Sequence, residues 1–318
     1  MKQDIFFCSV QSSRAEEQAV GTASAGDSWL LLEYPHPWGV KAFQESNLSR
    51  EIKLHLKAAL KSVPRSRLLF IKQDHPPAEF LSLFVVRSRE LDSSVVRYEL
   101  RNYEQLLELN LASALAGDDE KSAEIWERPL FLVCTHGKRD KCCAKFGFAI
   151  YKSVRDFAGD ASVWQSSHVG GDRFAANVIC FPDGLFYAHV TDEAGQNIVN
   201  SYRERKVVLN NFRGRACYPP PIQAAEFFAR TESGLSGVSD LKFLSYDAIK
   251  PSNWRVRFIS TIDAKIHEVY LTGELSEFQN RLTCHSSESR RVVQYSLSEY
   301  RALSDLLEYP NAIPDAVL

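Results

Sequence analysis

Twice along this chain an apolar strand is followed by a helix, a second strand, a hairpin and another helix. That repeated order limits the folds open to it. In the first pass S-W-L-L-L-E-Y reads as a buried strand, stopped by the rigid loop Pro35-His36-Pro37-Trp38-Gly39. Ile52, Leu56, Ala59, Leu60 and Val63 then recur at helical spacing, and R-L-L-F-I-K-Q at 67–73 is a second strand. After a break at Asp74-His75-Pro76-Pro77, E-F-L-S-L-F-V-V-R-S and S-V-V-R-Y-E-L pair as strands, and Tyr103 to Leu115 reads as a helix. Beyond the charged gap Gly117-Asp118-Asp119-Glu120-Lys121 the order starts again with the strand P-L-F-L-V. A helix follows, with Phe146, Gly147, Ile150, Tyr151, Val154 and Phe157 on one face, and then the strand A-S-V-W-Q-S. Pro182-Asp183-Gly184 turns A-N-V-I-C-F into L-F-Y-A-H-V, and Asp192 is placed to cap the closing helix.

This is the element order of a thioredoxin-like fold. The expectation is an α/β chain of two thioredoxin-like lobes, residues 1–116 and 117–216, with a small β-rich C-terminal appendage over 217–318. Residues 1–27 read as irregular. In the appendage a short helix, Gln223 to Arg230, precedes the alternating strands W-R-V-R-F-I-S-T-I and K-I-H-E-V-Y-L-T, then R-L-T-C and V-V-Q-Y-S-L. The net charge of -2 argues against nucleic acid as a partner, which would need clustered excess Lys and Arg. No apolar run is long enough for a membrane-spanning helix, and M-K-Q-D-I-F-F-C-S-V does not read as a secretory signal, so a cytoplasmic protein without membrane insertion is expected.

Only the second lobe places cysteines after its first strand: C-T-H-G-K-R-D-K-C-C-A-K-F-G, Cys134 to Gly147. In a reducing compartment such thiols are more often buried groups, metal ligands or nucleophiles than disulfide partners. Cys8, Cys180, Cys217 and Cys284 are isolated in sequence and read as small buried residues. Cys134 ends a strand, Cys142 and Cys143 open the following helix, and His168 ends the next strand, with Asp172 after Val169-Gly170-Gly171. Two neighbouring strand ends thus present Cys-x8-Cys and His-x3-Asp, soft and borderline ligands converging on rigid supports. Each residue also has a bland reading: a hydrogen-bonded histidine, an Asp172–Arg173 ion pair, or a His136 that orients the loop.

The segments C-T-H-G-K-R-D-K-C-C-A-K-F-G, S-S-H-V-G-G-D-R-F-A-A-N-V and F-P-D-G-L-F-Y resemble the sucrase/ferredoxin-like family, as do G-T-A-S-A and W-L-L-L-E-Y-P-H-P-W-G. The second lobe is similar to the thioredoxin-like [2Fe-2S] ferredoxins. The resemblance implies a [2Fe-2S] cluster held on one side by Cys134 and Cys143 and on the other by a His-x3-His pair, of which this chain keeps His168 and replaces the second member with Asp172. A carboxylate is harder than imidazole, so a more labile cluster is expected, with Cys142 or His136 as alternative ligands. The implied function is one-electron transfer to a redox partner protein, at a potential raised by histidine ligation. Two other readings compete: a thiol redox enzyme or sensor using Cys134 or Cys143, and a mononuclear zinc site of two cysteines, His168 and Asp172. No pair of carboxyl groups suited to glycoside hydrolysis can be picked out.

Overall fold

The computed structural model describes residues 5–74, 79–118, 123–159 and 163–304. His75–Pro77, Asp119–Lys121, the strand residues Ala161 and Ser162, and the chain beyond 304 lie outside the described residues.

A short helix, α1 (Cys8–Arg14), occupies the stretch expected to be irregular; its C-S-V-Q-S-S-R carries no apolar period that would announce it. The first half then runs β1 (Ser28–Glu33), α2 (Arg50–Ser62), β2 (Ser66–Lys72), β3 (Leu81–Ser88) and β4 (Ser93–Leu100). Every residue of β1 is buried, because it has a strand on each side and packed side chains on both faces. Ser49 caps α2, its Oγ accepting from the Ile52 amide at 3.2 Å. The single helix expected over 103–115 is broken. A 3-10 turn at Tyr103–Glu108 is followed by α3 (Leu111–Ala116), because Asn102 and Asn110 each cap a fresh start.

The second half runs β5 (Glu124–Ile125), β6 (Leu130–Cys134), α4 (Phe148–Ala158), β7 (Val163–Ser166), β8 (Val178–Phe181), β9 (Leu185–Tyr187), α5 (Asp192–Arg203) and β10 (Phe212–Arg215). The cap of α5 is Thr191, one residue before the expected Asp192; its hydroxyl accepts from the Ala194 amide at 3.3 Å. On α4 the buried face is Ile150, Tyr151 and Val154, while Phe157 reaches solvent.

All ten strands join one mixed sheet in the order β10-β9-β8-β6-β7-β2-β1-β3-β4-β5. The halves share a pattern: second strand, first strand, third, fourth, with the first two parallel and the rest antiparallel. They meet where β2 pairs antiparallel with β7, Ile71 opposite Ser166 and Lys72 opposite Gln165. Each half keeps its own helix-covered core: α2 with Leu30, Leu32 and Phe70 in the first, α4 and α5 with Phe131, Val133 and Cys180 in the second.

The opposite face is shared. Trp29 and Leu31 of β1, Leu130, Leu132 and Cys134 of β6, and Ile179 and Phe181 of β8 alternate onto it and form one cluster. Four strand spacings of about 4.8 Å would hold β1 and β8 roughly 19 Å apart in a flat sheet. The Trp29 and Phe181 rings are 5.3 Å apart instead, so the sheet curls around this core.

Past the sheet, α6 (Pro220–Ser233) extends well beyond the expected Gln223–Arg230 and packs on a separate antiparallel sheet of β11 (Leu241–Lys250), β12 (Asn253–Ser260), β13 (Ile266–Leu275) and β14 (Val293–Leu303). R-L-T-C at 281–284 is not a strand but part of the long β13–β14 connection. No helix among the described residues is long and apolar enough to cross a membrane.

Candidate metal centre

Cys134 is the last residue of β6 and points into the shared core, where it is buried. The chain loops through residues 135–140 and returns in a helical turn that begins at Lys141 and Cys142 and passes through a π turn, Cys143–Gly147, into α4. Gly147 permits this return: a Cβ there would stand 2.0 Å from the Cys134 carbonyl oxygen. The close approach sets Cys134 Sγ 3.6 Å from Cys143 Sγ. The Cys134 thiol is held below its usual range by its hydrogen bond with Cys143 and by the backbone amides of His136 and Val169, against the effect of burial. The partner is pushed the other way: hydrogen bonding to Cys134 and burial raise the Cys143 thiol.

His168 and Asp172 flank a loop whose Gly170 and Gly171 have φ of 89° and 79°. Asp172 is buried, its Oδ1 3.7 Å from Cys143 Sγ and 3.0 Å from His168 Nδ1. Despite that proximity, His168 Nδ1 is buried without a well-aligned hydrogen bond. Beneath the loop lies the fully buried guanidinium of Arg213, which donates to the carbonyls of Thr22 and Gly170 and to Asn177 Oδ1. Burial, aided by Arg173, pushes Arg213 down to about 9, while Cys134, Asp172 and Cys143 pull it back up. A cation is thus seated beside the thiols.

The structure therefore brings Cys134, Cys143, Asp172 and His168 into one chain of contacts. Arg173 turns away from Asp172, to Glu17 Oε1 at 2.5 Å, so the bland ion-pair reading of Asp172 does not hold. The two alternative ligands are drawn off. His136 Nδ1 accepts from the His168 amide at 3.1 Å and its Nε2 meets the Gly39 carbonyl at 2.7 Å, which engages both ring nitrogens with backbone. Cys142 faces away from Cys143's partners.

Cys142 belongs to a second group that sequence reading missed. Its Sγ lies 3.6 Å from Cys8 Sγ of α1 and 3.2 Å from Cys284 Sγ of the β13–β14 connection, and those two are 3.5 Å apart. Asp140 completes the group: Oδ1 accepts from the Cys142 amide at 2.8 Å and Oδ2 from the Cys284 amide at 2.6 Å. Ligand atoms of all four residues lie within 4.8 Å of one another, a buried Cys/Asp cluster able to hold a metal. The isolated-thiol reading thus fails for Cys8 and Cys284, and the Cys142–Cys143 doublet was the only local hint. It stands for Cys180, which is sealed in the second-half core with its thiol pushed up by burial. Cys217 is half-buried, and burial pushes it up to about 12.

A sucrase/ferredoxin-like family model matches residues 19–214. Among curated proteins, "Altered inheritance of mitochondria protein 32" of Candida glabrata is 33% identical over 96 residues, covering 26% of this chain and 31% of that protein. The protein of the same name from Debaryomyces hansenii is 35% identical over 82 residues, covering 23% and 30%. This chain thus spans about a third of the length of these relatives. No solved structure matches. Cys8 and Cys284 lie outside the family-matched stretch.

Proposed function

The chain belongs to the sucrase/ferredoxin-like family, and from that premise we propose that it is an electron carrier with a [2Fe-2S] cluster held by Cys134, Cys143, His168 and Asp172. The observation that carries this reading is His168 Nδ1, a buried ring nitrogen without an aligned partner beside a carboxylate and a close thiol pair. The donor set fits the group: two thiolates 3.6 Å apart suit one tetrahedral iron, and imidazole with carboxylate suits the second. When bound, the cluster supplies reversible one-electron transfer.

The chain's own residues do the rest. The His136 and Val169 amides offset thiolate charge at Cys134, and Arg213 offsets the negative charge of the whole set. His168 is the accessible member: its side chain is 28% exposed against 3% for Asp172, so electrons and a coupled proton would leave by its ring. A shallow cavity of about 330 Å³ lies against it, lined by Ala42, Phe43, Phe70 and Ser167 among others, and offers a redox partner protein a place to dock. We also take residues 1–116 and 117–216 as two thioredoxin-like lobes, supported by the strand order common to both halves.

Anaerobic purification tests the proposal. The expected protein is red-brown, carries about two irons per chain and loses its visible bands in Cys134→Ser. A chain that stays colourless after anaerobic reconstitution with iron and sulfide refutes it.

A further inference from the structure

We propose that Cys8, Cys142, Cys284 and Asp140 form a second, structural metal site that takes a single zinc ion. The inference is independent of the cluster reading, because it uses none of the same four residues.

The spacing selects the ion. Zinc holds thiolates at about 2.3 Å in a tetrahedron, whose edges are then about 3.8 Å. The three sulfur–sulfur distances, 3.6, 3.2 and 3.5 Å, are close to that edge, and both Asp140 oxygens lie 3.9 Å from Cys8 Sγ. A two-iron cluster takes only two terminal ligands on each iron, so one of three thiolates would have to lie on the second iron, well away from the other two; three mutually close sulfurs fit one ion and not two. Each Asp140 oxygen accepts one backbone amide, which leaves a lone pair on each for the ion.

The surroundings suit thiolates. Cys142 Sγ accepts from the Ser9 amide at 3.5 Å and the Ser9 hydroxyl at 3.3 Å, and Cys284 Sγ accepts from the Cys8 amide at 3.4 Å. Such donors orient ligands and offset their charge. As the ion enters, the thiol protons leave to solvent, with no change in oxidation state.

The site would be a staple. Cys8 sits in α1, Cys142 in the helical turn that leads into α4, and Cys284 in the connection between β13 and β14, 276 residues from Cys8. Neighbouring contacts close the same seam: the Arg281 amide donates to Gln11 Oε1, and Asn280 Nδ2 donates to Glu17 Oε2. Zinc would fasten the C-terminal sheet's long loop and the N-terminal helix onto the ten-stranded sheet.

The full chain, purified under reducing conditions, should hold about one zinc per chain apart from any iron. Cobalt(II) titrated into metal-free chain should give the visible bands of a tetrahedral thiolate site. Cys284→Ser, on a half-buried loop, should weaken zinc at least tenfold in competition with a chromophoric chelator, whereas Cys134→Ser should leave it unchanged. Cys8→Ser should behave as Cys284→Ser, and if it fails to fold, the cobalt spectrum of the Cys134→Ser chain, in which the other thiol pair is broken, still decides. Chelation should lower the melting temperature and open residues 276–292 to protease. The proposal is overturned if the reduced chain binds neither zinc nor cobalt, if Cys284→Ser binds zinc as tightly as the parent, or if chain purified with zinc carries a Cys142–Cys284 disulfide.

Discussion

Cys142 and Cys143 share a peptide bond but face different partners: Cys142 Sγ lies 3.2 Å from Cys284 Sγ, and Cys143 Sγ lies 3.6 Å from Cys134 Sγ. The doublet is the covalent link between two thiol groups of different make-up. One has a histidine, the other three cysteines and a carboxylate.

Substitution of one cysteine at a time should therefore separate two metals. Cys143→Ala should abolish the visible absorbance and iron while retaining zinc, and Cys142→Ala should do the reverse. Metal analysis of both variants checks this, and parallel loss of both metals from each would mean that the groups act as one.

Asp172 should control how long iron is kept in air. Asp172→His restores the His-x3-His pattern and should lengthen the decay of visible absorbance, while Asp172→Ala should shorten it by on the order of tenfold. Arg173→Ala should change little, because Arg173 is paired with Glu17. Equal decay in all three would remove Asp172 from the site.

Arg213 should set the potential. Its buried charge favours the reduced, more negative state, so Arg213→Met should lower the midpoint by about 60 mV, a tenfold shift for a one-electron couple. Arg213→Lys keeps the charge and should stay nearer the parent. Spectroelectrochemistry reads both values.

A methyl group at residue 147 should loosen the first thiol pair. Gly147→Ala drives a Cβ against the Cys134 carbonyl and should cost about 1–3 kcal/mol in urea unfolding, with faster loss of iron. Gly159→Ala meets no atom within 4 Å but strains the backbone at a φ of 81°, so it should cost stability without speeding the loss of iron.

Acid should weaken the junction between α6 and β10. Glu226 is buried and its Oε1 accepts from Arg215 Nη2 at 2.9 Å and Arg230 Nη2 at 3.0 Å. Burial raises the Glu226 carboxyl, but the two guanidiniums outweigh it and leave it below its usual range. With the folded value below the unfolded one, this stabilisation is complete above about pH 4.3 and is lost as pH falls through the depressed value. Glu226→Gln should flatten that acid limb and cost about 3–5 kcal/mol at neutral pH, since two buried cations lose their partner. Urea melts across the acid range measure both effects.

Much of this was legible in the residues alone because it is local. Apolar period separates Trp29 and Leu31 from Leu30 and Leu32, and the strand–helix–strand order makes β6 and β7 parallel neighbours. Parallel neighbours end side by side, Cys134 opposite Ser166, so a cysteine at one strand end and His168 just past the other had to come near. What the sequence could not decide was which edges meet and which distant segments land together. The pairing of β2 with β7 depends on two edge strands finding each other, and the curl that brings Trp29 to Phe181 follows from it. Cys8 and Cys284 carry no local pattern; their meeting with Cys142 rests on α1 and the β13–β14 connection packing against the same loop. The residues alone carry the strand order of the two halves and bring Cys134 and His168 to neighbouring strand ends, since both follow from short-range periodicity and strand direction, while Cys143 as the partner of Cys134 rests on the family resemblance. The second thiol group exists only in the folded chain, because contacts across 276 residues are set by packing of whole elements rather than by any spacing along the sequence.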